Sequence, residues 1–179
     1  MSRLTTTLVL GGARSGKSAY AERLCRESGL ALCYIATATP GDAEMSERIA
    51  CHRRERGPGW VTIEDALELP SALAREAGPD RAVLVDCLTL WLSNLIFAGR
   101  DASAETRALC AALANAPGPV VLVSNELGMG LVPETPLGRR FRDAQGRLNQ
   151  AVAASAPAVV FVAAGLPLVL KSLPPQDPA

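Results

Sequence analysis

Eight consecutive residues, Gly11, Gly12, Ala13, Arg14, Ser15, Gly16, Lys17 and Ser18, carry the most recognisable chemistry in this 179-residue chain. They fit Gly-x-x-x-x-Gly-Lys-[Ser/Thr] without a mismatch and follow the apolar run Leu8-Val9-Leu10, so the spacing predicts a phosphate loop between a strand and a helix. Glycines let the backbone curl until successive N–H groups converge on an anion, and the helix that follows adds its positive end. Lys17 is then placed to reach terminal phosphates and Ser18 to ligate Mg²⁺. The loop alone leaves open which nucleotide binds and what is done with it.

A second group of reactive residues centres on His52, the chain's single histidine. Arg48, Arg53 and Arg56 lie within one helical turn of it, a cationic arrangement suited to phosphates. A neutral imidazole is a competent nucleophile toward phosphorus, and flanking guanidinium groups would keep it unprotonated and stabilise a departing pyrophosphate. The same residues also read as a solvated basic face paired with Glu47 and Glu55, with His52 a structural hydrogen-bonder.

Further candidates stand where apolar runs end. Thr37, with its small neighbours Ala36 and Ala38, follows one run and faces either a nucleotide or an ordinary helix entry. Glu64 follows another, where a carboxylate holds a ribose hydroxyl or opens a turn. Asp86 ends Ala82-Val83-Leu84-Val85, the position of a Mg²⁺-supporting acid opposite Ser18. Asn125 and Glu126 follow Val120-Val121-Leu122-Val123-Ser124 and either orient an attacking hydroxyl or only shape their glycine-rich loop.

The elements needed to hold these residues alternate. Strands are expected over residues 4–10, 31–36, 61–63, 82–85, 120–123 and 159–162, most of them continuous apolar runs as befits burial on both faces. Helices are expected over 17–27, 44–56, 69–77, 88–97, 103–114 and 136–154. The alternation predicts an α/β fold with a mainly parallel sheet. The three-residue gap between 159–162 and 166–170 predicts an antiparallel edge hairpin. Residues 1–173 are expected to form one domain, and the proline-rich 174–179 a flexible tail.

Lys and Arg total 18, as do Asp and Glu, so the net charge of zero removes any electrostatic argument for a nucleic-acid or membrane partner. No apolar run reaches spanning length. Five scattered cysteines without Cys-x-x-Cys pairs suggest reduced thiols and a cytoplasmic setting.

Taken together, the phosphate loop, Tyr34-Ile35-Ala36-Thr37, Glu44-Met45, Arg48-Ile49 and His52-Arg53 form a pattern that continues toward the C-terminus. It extends through Asn125-Glu126-Leu127-Gly128-Met129-Gly130, Val132-Pro133-Glu134, Phe141-Arg142-Asp143 and Gly146-Arg147 with Asn149-Gln150. These stretches resemble the bifunctional adenosylcobinamide kinase/adenosylcobinamide-phosphate guanylyltransferase family of cobalamin biosynthesis. The resemblance implies a RecA-like phosphate-loop domain that phosphorylates adenosylcobinamide with ATP or GTP. It then transfers GMP from GTP to adenosylcobinamide phosphate, giving adenosylcobinamide-GDP and pyrophosphate. It further implies that His52 carries GMP covalently, and that Arg53, Arg54, Glu55, Arg56, Glu64 and Asp86 join the phosphate loop and residues 36–38 around the nucleotide. A homo-oligomer, specifically a ring-like trimer, is implied as well. The residues taken alone leave two other readings: a small-molecule kinase with a structural His52, and a non-catalytic nucleotide-dependent switch.

Overall fold

Short runs of valine, leucine and isoleucine, bounded by glycine or polar residues, form the strands, because branched side chains pack well on a pleated surface buried from both sides. The computed structural model describes residues 4–39, 41, 47, 54 and 56–172. In chain order its elements are β1 (Thr7–Gly11), α1 (Lys17–Glu27), β2 (Ala31–Ala36), β3 (Trp60–Glu64), α2 (Leu69–Glu76), β4 (Arg81–Asp86) and α3 (Leu88–Phe97). There follow α4 (Ala102–Ala114), β5 (Val120–Asn125), α5 (Pro136–Ser155), β6 (Ala158–Ala163) and β7 (Leu166–Lys171). Glu47, Arg54 and Arg56 are helical; the rest of the helix expected over 44–56, and the tail expected over 174–179, lie outside the described residues.

The seven strands form one sheet in the order β3-β2-β4-β5-β1-β6-β7. Every pairing is parallel except β6 with β7, the antiparallel edge that the short gap predicts. Alternate residues of the inner strands serve two cores. Leu8, Ile35, Val85 and Leu122 meet α2, α3, α4 and α5 on one face. On the other, Val9, Tyr34, Leu84, Val123 and Val162 meet Ala21 and Cys25 of α1.

Several element boundaries differ from expectation, and in β1 and β3 the neighbouring strands account for the difference. β1 begins at Thr7 rather than residue 4, because its neighbours begin there too: Thr7 pairs with Val121 and with Ala158. β3 extends to Trp60 and Glu64 because β2 offers partners over that length. The strand β7 is exposed along its whole length, unlike the apolar runs inside the sheet.

Helix starts follow local chemistry. Asp101 accepts from Ser103 N at 2.8 Å and Ala104 N at 3.2 Å to cap α4. Thr135 accepts from Gly138 N at 3.1 Å, with Pro136 in the first turn of α5.

Trp91 of α3 is fully buried in the larger core and donates from Nε1 to Leu67 O at 2.9 Å. Trp91→Ala should lower unfolding free energy by about 3–5 kcal/mol, a cavity plus an unpaired carbonyl, read as a lower denaturation midpoint.

Candidate active site at the carboxyl end of the sheet

The phosphate loop leaves β1 between two strands. Gly11 lies opposite Asn125 of β5 and opposite Val162 of β6. A Cβ at Gly11 would stand 2.5 Å from both Ser15 Oγ and Val162 O, so the position admits only glycine. Gly16 has φ 93°, in the left-handed region, and a Cβ there would press within 3.1 Å of Gly165 Cα. Gly165, in the turn between β6 and β7, donates its N–H to Ser15 O at 2.8 Å. The curvature of the loop is therefore set partly by the edge hairpin. Arg14 also has positive φ, 54°, while Ala13, Arg14 and Gly16 are exposed and Gly12, Ser15, Lys17 and Ser18 half-buried. Backbone that alternates in hand in this way turns its N–H groups into an anion-binding hollow. Lys17 Nζ donates to Gly12 O at 3.0 Å. Burial lowers the Lys17 pKa from 10.5, opposed by Cys87 and by the negative charge of Asp86.

Asp86 ends β4, one strand beyond β5. Its Oδ2 accepts from Tyr34 Oη at 3.2 Å. Burial, followed by the Asp86 charge, holds the Tyr34 phenol far above its usual range, so it stays protonated as the donor. The guanidinium of Arg56 lies over the Tyr34 ring at 3.3 Å, and Trp60 meets the same ring edge-on at 6.0 Å. Arg56 is 5% exposed, and its Nη1 is buried without a hydrogen-bond partner among the described residues. Arg26 donates to Arg56 O. A continuous chain of contacts thus joins Arg56 to the acid beside Lys17.

Thr37 is fully buried. Its hydroxyl donates to Cys87 O at 2.8 Å and accepts from Cys87 N at 2.9 Å, while its own N–H donates to Asp86 O and its C=O accepts from Asn94 Nδ2. The side chain is thereby committed to bracing the backbone that carries Asp86. Ala36 and Ala38 flank it, half-buried, and Arg54 is exposed. Glu64 is exposed at the end of β3, opposite Ala36. Its neighbour Asp65 takes the turn role, accepting from Leu67 N and Glu68 N at the entry to α2. His52, Arg53 and Glu55 lie outside the described residues. Tyr34 and Asn94 were not anticipated as contributors. The available signal was a phenol within an aliphatic strand, since a buried tyrosine hydroxyl requires a partner.

Among the described residues no three of His, Cys, Asp and Glu gather into a metal cage. Mg²⁺ is commonly held by one or two protein oxygens together with substrate phosphates. Asp86, anchored by Tyr34, and the Ser18 hydroxyl at the start of α1 are hard oxygen donors of the required kind.

Lys17 generates a prediction with a definite sign. A lysine whose folded pKa is lowered binds fewer protons when folded, so its charge opposes folding at neutral pH and the opposition fades as pH rises toward 10.5. Lys17→Met should match or exceed the wild-type melting temperature at pH 7, with the difference shrinking toward pH 10.5. The same variant should reduce phosphoryl transfer by roughly 10²–10³-fold.

Comparison with known proteins agrees with this architecture. Among solved structures, a Pyrococcus horikoshii OT3 protein superposes with a TM-score of 0.57 at 11% identity, covering 98% of this chain and 90% of that one. The flagellar accessory protein FlaH from Methanocaldococcus jannaschii gives 0.52 at 11% identity, covering 94% and 79%. At such identities these likenesses show the fold alone, a mainly parallel sheet flanked by helices. The bifunctional adenosylcobalamin biosynthesis protein CobP of Pseudomonas aeruginosa is 52% identical over 169 residues, 93% of this chain and 98% of that protein. Its counterpart CobU of Escherichia coli is 42% identical over 179 residues, covering 92% and 98%. The family described as cobinamide kinase / cobinamide phosphate guanyltransferase matches residues 7–170, and the chain belongs to that family.

Proposed function

We propose that this enzyme phosphorylates the hydroxyl of the aminopropanol arm of adenosylcobinamide with ATP or GTP, then transfers GMP from GTP to the new phosphate through His52. Family membership supports both reactions. One observation supports a single site for them: the Arg56–Tyr34–Asp86 chain of contacts. His52 lies four residues before Arg56 in sequence, and four residues span at most about 14 Å. A short stretch of chain therefore separates the histidine from the arginine that these contacts join to Asp86.

In the kinase step, the phosphate-loop N–H groups and Lys17 hold the terminal phosphates. The acceptor oxygen attacks the γ-phosphorus, the bond to the β-phosphate oxygen breaks, and the hydroxyl proton passes to solvent. In the guanylyl step, an imidazole nitrogen of His52 attacks the α-phosphorus and pyrophosphate leaves. An oxygen of adenosylcobinamide phosphate then attacks the same phosphorus, and the N–P bond breaks. Arg53, Arg54, Glu55 and Glu64, with residues 36–38, are assigned to the nucleotide around this centre. Arg56 Nη1, buried and unpaired among the described residues, supplies a charged donor for it. Mg²⁺, held by Ser18 and Asp86, would neutralise charge on the phosphates. For the acceptor, two clefts of about 210 and 280 Å³ share Ser93 and Phe97 on α3, the first opening beside Ala38 and Thr39.

The exposed apolar strand β7, with Leu166, Leu168, Val169 and Leu170, supports a homo-oligomer, and we assign the trimer that the family resemblance implies. Cys25 and Cys33 are unpaired thiols with pKa values pushed up to about 12 and about 11, first of all by burial. Such protonated thiols fit a cytoplasmic enzyme. No helix among the described residues is long and apolar enough to cross a membrane.

Incubation with α-labelled GTP should give an acid-labile, alkali-stable label on the protein that His52→Ala abolishes; undiminished label in that variant would reject the covalent route. Tyr34→Phe, which removes the partner of Asp86, should raise the Mg²⁺ concentration for half-maximal kinase activity roughly 10–100-fold, and an unchanged requirement would remove Asp86 from the metal site.

A further inference from the structure

β5 lies between the strand that ends in Asp86 and the strand that opens into the phosphate loop. Its last residue, Asn125, is opposite Gly11, and Val123 is opposite Asp86. Val121 and Val123 pack in the core on the α1 side, whereas Val120 and Leu122 pack on the other. By the same alternation Ser124 belongs to the α5 side and Asn125 to the α1 side. Ala82 and Leu84 put Asp86 on that side too, and Lys17 is the first residue of α1. Three polar side chains of different chemistry therefore end on one face around the phosphate loop.

The backbone of Asn125 is fixed from two helices. Its N–H donates to Thr89 Oγ1 of α3 at 2.9 Å, and its C=O accepts from Asn149 Nδ2 of α5 at 3.0 Å. Asn149 is itself held, its Oδ1 accepting from Ser124 Oγ at 2.7 Å and from Gln145 Nε2 at 3.0 Å. Gln145 Nε2 also reaches Ser124 Oγ at 2.9 Å, and the three side chains are buried. Burying so polar a group within an aliphatic core is unfavourable unless the groups satisfy each other, and Gln145 Oε1 has no partner among the described residues. What the network secures is the position of Asn125.

The neighbouring acid is accounted for differently. Glu126 donates its N–H to Gly11 O at 3.1 Å and turns its carboxylate to Gly128 N. It shapes the loop. The carboxamide of half-buried Asn125 makes no hydrogen bond among the described residues.

We propose that Asn125 is a catalytic residue of the kinase step, donating a hydrogen bond from its carboxamide to the phosphoryl group in transfer, with Thr89, Asn149, Gln145 and Ser124 as its positioning residues. The inference rests on the functional reading given above. Asn125 moves no proton: the γ-phosphorus exchanges its bond to the β-phosphate oxygen for one to the acceptor oxygen, and Asn125 stabilises charge on the equatorial oxygens meanwhile.

The test compares wild type with Asn125→Ala and the nearly isosteric Asn125→Asp. It measures steady-state phosphorylation of adenosylcobinamide, ATP binding by titration calorimetry, and melting temperature. Both variants should lose about 100-fold in kcat while keeping ATP affinity within a few-fold and melting within a few degrees of wild type. A kcat within threefold of wild type in either variant overturns the proposal, as does a kcat loss matched by an equal loss of ATP affinity or of fold. Wild type inactive on adenosylcobinamide would overturn the functional reading instead. Asn125 is then judged on ATP hydrolysis, where the same loss supports its role and an unchanged rate rejects it.

Discussion

A loop that binds phosphate through its backbone has to be held in one curvature, because N–H groups stabilise an anion only when they already converge on it. In this protein three external contacts impose that curvature. Gly11 is wedged between Ser15 Oγ and Val162 O, Glu126 N bonds Gly11 O, and Gly165 N bonds Ser15 O. Two strands and a hairpin turn thus converge on eight residues. The parallel order of the sheet brings them there, since β5 and β6 both lie beside β1 and end at its carboxyl end.

The same topology explains the electrostatics. Lys17 is partly buried at a cost to its charged form, and Asp86 is its natural counter-charge. Asp86 is in turn steadied by a tyrosine whose ring carries an arginine on its face. Asp86, Tyr34 and the backbone of Asn125 are each held by a neighbour from another element. Sites of this kind hold their geometry before substrate arrives, which is where a phosphoryl-transfer enzyme gains most of its rate.

Two residues adjacent in sequence illustrate how local ambiguity resolves. Asn125 and Glu126 read equally as catalytic or as loop-forming when only their types are known. Alternation along β5, the bonds from Thr89 and Asn149, and the turn of the Glu126 carboxylate onto Gly128 assign them separate duties. Thr37 resolves in part: read from its type as facing either a nucleotide or an ordinary helix entry, its hydroxyl is enclosed and bonded to Cys87.

The sequence by itself determined the phosphate loop, the α/β alternation, the antiparallel last strand and the family. These depend on local spacing, glycine placement and the length of connecting segments, all written along the chain. Only the tertiary structure decided that Tyr34 anchors Asp86, that Gly165 props the phosphate loop, and that Gln145 and Asn149 secure Asn125. Those partners are separated by between 20 and 150 residues of chain. Such pairings follow from strand order and from which face each residue presents, and neither can be read from one segment alone.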